Sequence, residues 1–239
     1  MIEVKNIAFK YPKSDFKLVV KDLTIERGKV IALVGGNGCG KTTLLRLMCG
    51  IYQSDDTQVI YQNKQYKSLI ELPLRLVMHN AYAGLNPSLT ILQQTKLVAK
   101  LYGEKHPVEK IRSVAEQLNV TELLHKKPHE LSAGQKQRSM LLRTLSVDPD
   151  VILLDEPTTG LDIKAIEQIM GWIDFLKSKG KTIIISTHHP YELSILSPRI
   201  IGLHNGNVVT DKQSNKAIQG PDWYRDTINK IIEGVNENA

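Results

Sequence analysis

Nine consecutive residues, Gly35-Gly36-Asn37-Gly38-Cys39-Gly40-Lys41-Thr42-Thr43, combine chain flexibility, one ammonium and two hydroxyls in a pattern suited to polyphosphate chemistry. They fit G-x-x-x-x-G-K-[ST] and follow the apolar run Val30-Ile31-Ala32-Leu33-Val34, the arrangement of a phosphate-binding loop between a strand and a helix. Glycine lets backbone N–H groups turn inward around an anion. Lys41 and the positive end of the following helix add charge where a triphosphate is negative. Thr42 can then offer its hydroxyl to Mg2+.

Two further stretches carry chemistry. Val151-Ile152-Leu153-Leu154-Asp155-Glu156-Pro157 sets two carboxylates at the carboxyl end of an apolar strand, where parallel α/β sheets take their ligands. Beside a phosphate loop, Asp155 is placed to hold Mg2+ through its water shell, and Glu156 to orient or deprotonate an attacking water. Leu131-Ser132-Ala133-Gly134-Gln135 precedes Lys136-Gln137-Arg138 and the apolar Met140-Leu141-Leu142, so it reads as a helix N-terminus. Such a terminus binds anions, and equally serves as an ordinary cap.

These groups need a sheet and helices to position them. Strands are expected over Ile2–Phe9, Leu18–Ile25, Val30–Val34, Val151–Leu154 and Thr182–Ser186, with a helical stretch over Ile163–Leu176. Between Leu85 and Val147 the apolar spacing turns helical. Ile91, Thr95, Val98 and Leu101 are followed by Ile111, Val114, Ala115 and Leu118, so this segment reads as a helical insertion. Near the C-terminus Tyr224, Ile228, Ile231, Ile232 and Val235 fall on one helical stripe, expected to pack on the chain's own domain.

With 239 residues the chain is long enough for one large α/β domain with an insertion, and it carries no internal repeat. Thirty-one basic and 25 acidic residues leave +6, which suits polyphosphate, acidic membrane surfaces or nucleic acid without choosing among them. No apolar run approaches the roughly 18 residues that span a bilayer, and the N-terminus has no signal-peptide pattern, so a soluble chain is expected. Cys39 and Cys49 have neither disulfide-scaffold nor metal-ligand spacing, which points to a reducing cytosolic compartment. Beside Lys41 and a helix N-terminus, the Cys39 thiol is expected to be more acidic than a free cysteine.

The phosphate loop, Leu131-Ser132-Ala133-Gly134-Gln135, Asp155-Glu156-Pro157, Gly160-Leu161-Asp162 and Thr187-His188 follow one another in the order of an ATP-binding cassette ATPase. The deciding element is Ser-x-Gly-Gln about 20 residues before the strand-end Asp155, and over almost its whole length the chain resembles the nucleotide-binding subunit of such a transporter. The resemblance implies an α/β P-loop NTPase (RecA-like) core with a parallel sheet, an N-terminal antiparallel β subdomain and an inserted α-helical subdomain. Residues 1–84 and 148–210 would form the nucleotide-binding core, 85–147 the helical signature subdomain and 211–239 a tail with an amphipathic helix, all within one cassette domain.

It also implies a head-to-tail dimer holding two MgATP, each between one subunit's phosphate loop and the other's signature helix. One nucleotide-binding set per chain then requires a homodimer or a related ATP-binding subunit. Carried over by motif, Gly35, Asn37, Gly38, Cys39, Gly40, Lys41, Thr42 and Thr43 hold the phosphates, and Ser132, Gly134 and Gln135 serve the partner's ATP. Asp162 bridges across the dimer and His188 contacts the γ-phosphate. Tyr11 matches the place where the family offers an aromatic face to adenine.

The family's Mg2+-reaching glutamine is absent from Leu76-Val77-Met78-His79-Asn80; Asn80 is the best match, with His79 as the substitute. Leu89-Thr90-Ile91 and Lys96–Gly103 resemble the insertion of a bacterial subgroup, many of whose members act in export. The implied partner is a transmembrane permease subunit, with the chain peripheral on the cytoplasmic face of the membrane and no nucleic acid bound. A soluble cassette ATPase acting on ribosomes, nucleic acid or protein complexes is the competing class. A regulatory module with negligible hydrolysis is a third, opposed by Glu156 and His188.

Overall fold

Parallel pairing across one half of a ten-stranded sheet organises the computed structural model, which describes residues 1–54, 56–80, 84–215 and 219–235, without the Asn80 side chain. The strands are β1 (Ile2–Lys10), β2 (Lys17–Ile25), β3 (Val30–Val34), β4 (Gln58–Tyr61), β5 (Lys64–Tyr66), β6 (Leu76–Asn80), β7 (Val151–Asp155), β8 (Thr182–Thr187), β9 (Arg199–His204) and β10 (Asn207–Gln213). Their order is β5-β4-β1-β2-β10-β9-β3-β8-β7-β6. From β9 to β6 the neighbours run parallel, whereas β1 pairs antiparallel with β2 and β4. The two regions join at β10 and β2 through the single register pair Asn207↔Val19.

Strands β3, β7 and β8 are buried along their whole length, as expected of parallel strands covered on both faces. Alternation then assigns their side chains to two cores. Val30, Ala32, Val34, Ile152, Leu154, Ile183 and Ile185 face the helical insertion and the C-terminal helices. Ile31, Leu33, Val151, Leu153 and Ile184 face the helix α1 (Lys41–Met48) and the inner side of β1 and β2.

The insertion contains α2 (Ile91–Leu101), α3 (Pro107–Gln117) and α4 (Ala133–Leu145); after it come α5 (Ile163–Ser178), α6 (Pro190–Leu196) and α7 (Pro221–Glu233). Reciprocal capping boxes, Thr90 with Gln93 and Ser132 with Gln135, start α2 and α4. The α2 stripe is rotated from its expected position. Ile91, Gln94, Thr95 and Ala99 are buried, while Leu101 is 77% exposed. Helix α7 packs on β9 and α6 through Tyr224, Ile228 and Ile231, leaving Ile232 and Val235 exposed. Strand β10 runs through position 211, so the chain is still in the sheet where the tail was expected to begin.

Strands β9 and β10 form a hairpin whose turn residues Asn205 and Gly206 both have positive φ, as a two-residue primed turn requires. Gly206 also docks the turn onto the rest of the molecule. Its carbonyl accepts from Val19 N at 2.7 Å, and its N–H donates to the Cys39 carbonyl at 3.0 Å. A Cβ there would lie 1.9 Å from the Lys17 carbonyl oxygen. Gly206→Ala is expected to destabilise the protein by at least about 1–3 kcal/mol, read as a lower denaturant midpoint at unchanged slope.

Candidate active site

The ends of β3, β8 and β7 meet because the strands pair in register, with Val34 opposite Thr187 and Asp155 opposite Ser186. Beyond β3 the chain turns at Gly35, where a Cβ would lie 2.2 Å from the Leu203 carbonyl oxygen and 2.6 Å from Cys39 Sγ. No larger residue fits this turn. The loop then enters α1 at Lys41, which is buried and whose Nζ donates to the carbonyls of Gly35 at 2.8 Å and Gly36 at 3.1 Å. Thr42 Oγ1 donates to Asp155 Oδ1 at 3.0 Å, tying the first turn of α1 to the end of β7.

Ser186, the second-last residue of β8, organises the acidic pair. Its Oγ donates to Asp155 Oδ1 at 2.8 Å and accepts from Glu156 N at 2.8 Å. Glu156 sits at φ 45°, a left-handed conformation costly for a non-glycine residue. Its carboxylate lies 3.9 Å from Lys41 Nζ and 3.7 Å from His188 Nδ1, and accepts from Thr159 Oγ1 at 3.2 Å. An acid, an ammonium and an imidazole therefore surround one point.

That point opens into a cavity of about 790 Å3, in the range of small-molecule sites. Asn37, Gly38, Gly40, Lys41, Thr42, Thr43, Asp155, Glu156 and His188 line it, with Tyr11 and Phe16 as its aromatic wall. Tyr11 OH pairs with Thr43 Oγ1 at 2.8 Å, and its ring stands edge-on to Phe9 and Tyr52. Ser186, Thr159 and Phe16 escaped the sequence reading. Hydroxyls at strand ends and a lone aromatic upstream have no diagnostic spacing.

Several expected residues lie elsewhere. Gly35 and Cys39 belong to the loop but do not line the cavity. Cys39 is buried, and burial raises its thiol pKa despite Lys41, which corrects the expected acidity: desolvation outweighs the nearby charge. Ser132, Gly134, Gln135 and Asp162 stay outside the cavity. Ser132 and Gln135 cap α4 reciprocally, and Asp162 Oδ1 accepts from Ala165 N at 2.8 Å at the start of α5.

Asn80 pairs with Asp155 along the β6–β7 ladder, and its side chain lies outside the described residues. His79 cannot stand in for it, since it is buried against α4 with Nε2 3.2 Å from Gln137 Nε2. Among the described residues no group of three His, Cys, Asp or Glu forms a metal cluster. The Thr42 hydroxyl and Asp155 carboxylate are hard oxygen donors, the kind that hold Mg2+ together with substrate phosphates.

With this geometry in place, comparison with known proteins is decisive. Residues 20–159 match the ABC transporter family. The chain belongs to that family. An ABC transporter ATP-binding protein of Clostridium tetani is 30% identical across 98% of this chain, which spans 54% of that relative's length. The methionine import ATP-binding protein MetN of Clostridioides difficile is 32% identical over 219 residues, covering 87% of this chain and 67% of its own. The dimeric structure of a bacterial ABC transporter cassette matches at TM-score 0.75 and 25% identity, over 92% of this chain and all 100% of that one.

Burial, with Arg143 nearby, pushes the His79 pKa of this cassette down to about 4 from 6.5. The Gln137 amide N–H2 donates to the Pro157 carbonyl and faces His79 Nε2, so the imidazole accepts there and stays neutral. Unfolding therefore takes up a proton between these values, and stability falls as pH drops from about 6.5 to about 4. The loss is on the order of 3 kcal/mol. His79→Leu is expected to flatten that part of the stability profile, measured by urea unfolding across this pH interval.

Proposed function

We propose that this chain is the ATP-binding and ATP-hydrolysing subunit of an ABC transporter, pairing head to tail around two ATP molecules and driving a separate membrane-spanning subunit. The observation that carries the reading is the Glu156 carboxylate, set between Lys41 and His188 beside an Asp155 already held by Thr42. Thr42 and Asp155 would hold Mg2+, which when bound supplies charge neutralisation on the phosphate oxygens.

Lys41 exchanges its two loop carbonyls for phosphate oxygens when ATP enters. Tyr11 and Phe16 offer ring surface to the base. Glu156 orients a water for attack on the γ-phosphorus and takes its proton, and ADP departs as the P–O bond breaks. His188 contacts the γ-phosphate from the end of β8. Ser132 and Gly134 of one subunit complete the other's site with the N-terminal end of α4, where free backbone N–H groups favour an anion. Because these residues are outside the cavity of their own chain, one chain holds only half of each site.

Motion reaches the membrane subunit through the cleft between the sheet and the helical insertion. Ile51, Ile70, Met78, Val98 and Tyr102 line a cavity of about 270 Å3 there, and Ile51 and Ile70 are exposed apolar residues. The Lys96–Gly103 stretch supports export. A relative named for import is 32% identical over 219 residues, so a similar cassette also accompanies import.

Glu156→Gln is expected to lower ATP turnover by about 100-fold or more while ATP accumulates a stable dimer, seen by size-exclusion chromatography. Turnover at the normal rate would sink the role given to Glu156. Purification of the tagged chain from membranes is expected to retain a multispanning partner, whose reconstitution in vesicles reads the direction of transport. Co-migration with ribosomes instead would favour the soluble class.

A further inference from the structure

Glu192 in α6 is fully buried, and no lysine, arginine or histidine pairs with it among the described residues. Its two carboxyl oxygens accept from two buried hydroxyls. Thr158 Oγ1 donates to Oε1 in a short hydrogen bond, and Thr187 Oγ1 donates to Oε2 at 2.6 Å. A buried acid without a cation is costly, and an apolar residue would fill the same space at no such cost.

Thr158 is two residues beyond Glu156, and Thr187 immediately precedes His188. Thr187 Oγ1 also accepts from His189 N at 3.1 Å, so the backbone on both sides of His188 is tied to the same hydroxyl. The loop after Glu156 is closed by Thr159 N to the Glu156 carbonyl and by Leu161 N to the Thr158 carbonyl. One carboxyl group thus fastens the segments carrying the two groups that flank the reacting phosphate. We propose that Glu192 is a positioning residue for hydrolysis, fixing the separation of Glu156 and His188 through Thr158 and Thr187 without touching the substrate.

This inference rests on the roles given to Glu156 and His188 above, and the Glu156→Gln variant serves as its control. Misplacing a reacting group by about 1 Å can cost 100-fold in rate. Glu192→Ala is expected to lower kcat roughly 10–100-fold per nucleotide-binding molecule, with the affinity for a fluorescent ATP analogue changed less than about twofold. Glu192→Gln is expected to recover to within about threefold of the parent, because an amide accepts from one threonine and donates to the other. Thr187→Val should lower kcat in the same manner, and combining it with Glu192→Ala should cost much less than the product of the two losses, since Glu192→Ala already breaks the link from Thr187 to the carboxyl group.

Glu192→Ala with kcat within twofold of the parent overturns the proposal. So does a rate loss matched by an equal loss of nucleotide-binding molecules, the result of a merely structural role. If Glu192→Ala does not fold, Thr158→Val and Thr187→Val each remove one arm and are judged by the same two measurements. Normal turnover in Glu156→Gln would instead overturn the underlying functional reading, leaving a different signature.

Discussion

In-register parallel pairing of β3, β8 and β7 is the constraint on which the site depends. Val34, Thr187 and Asp155 end adjacent strands, so the phosphate loop, the histidine and the acidic pair emerge at one edge of the sheet. A shift of one residue in β7 would turn Asp155 toward the opposite face, because strand side chains alternate. Complete burial of these strands resists such a slip. Leu153 packs with Ile31, Leu33 and Ile184 on one face, and Ile152 and Leu154 with Val34 and Ile185 on the other. The cores therefore act on catalysis by fixing register.

Around that edge the charges are arranged as a set of replaceable contacts. Lys41 rests on its own loop carbonyls, and Thr42 and Ser186 both donate to one oxygen of Asp155. In the proposed function, phosphate oxygens replace the carbonyl partners of Lys41, so the donors pass from one set of acceptors to another. The loop's shape is fixed by Gly35, which fits against the Leu203 carbonyl, and by Cys39, whose carbonyl anchors the β9–β10 turn. Cys39 is a small packed residue within the loop.

The motifs and the central strands were legible because each rests on a short local rule: glycine spacing, an apolar run, carboxylates at a strand end. What escaped depends on partners distant in sequence. Nothing around Ser186 tells that its hydroxyl will meet Asp155, 31 residues away. The acidity expected of Cys39 followed from a neighbouring charge and a helix end, whereas burial decided the outcome. The α2 stripe was misplaced because Gln94 is buried by bonding the Asn86 N–H, so a polar residue occupies a core-facing position and a leucine does not. The β9–β10 hairpin has a local signal of its own, Asn205-Gly206 flanked by apolar residues.

Position within the fold also explains why half of the chemistry points away from the cavity. At the start of α4 Ser132 and Gln135 cap each other, and the other first-turn N–H groups of a helix have no intrahelical partner. Its far end packs into the same helical core as β7 and β8. Gln137, one turn in, donates to the Pro157 carbonyl next to Glu156. Helix α4 is thus connected to the end of β7 in its own chain, the geometry on which the proposed pairing of two chains would draw. One buried amide therefore links the first turns of α4 to the backbone next to Glu156.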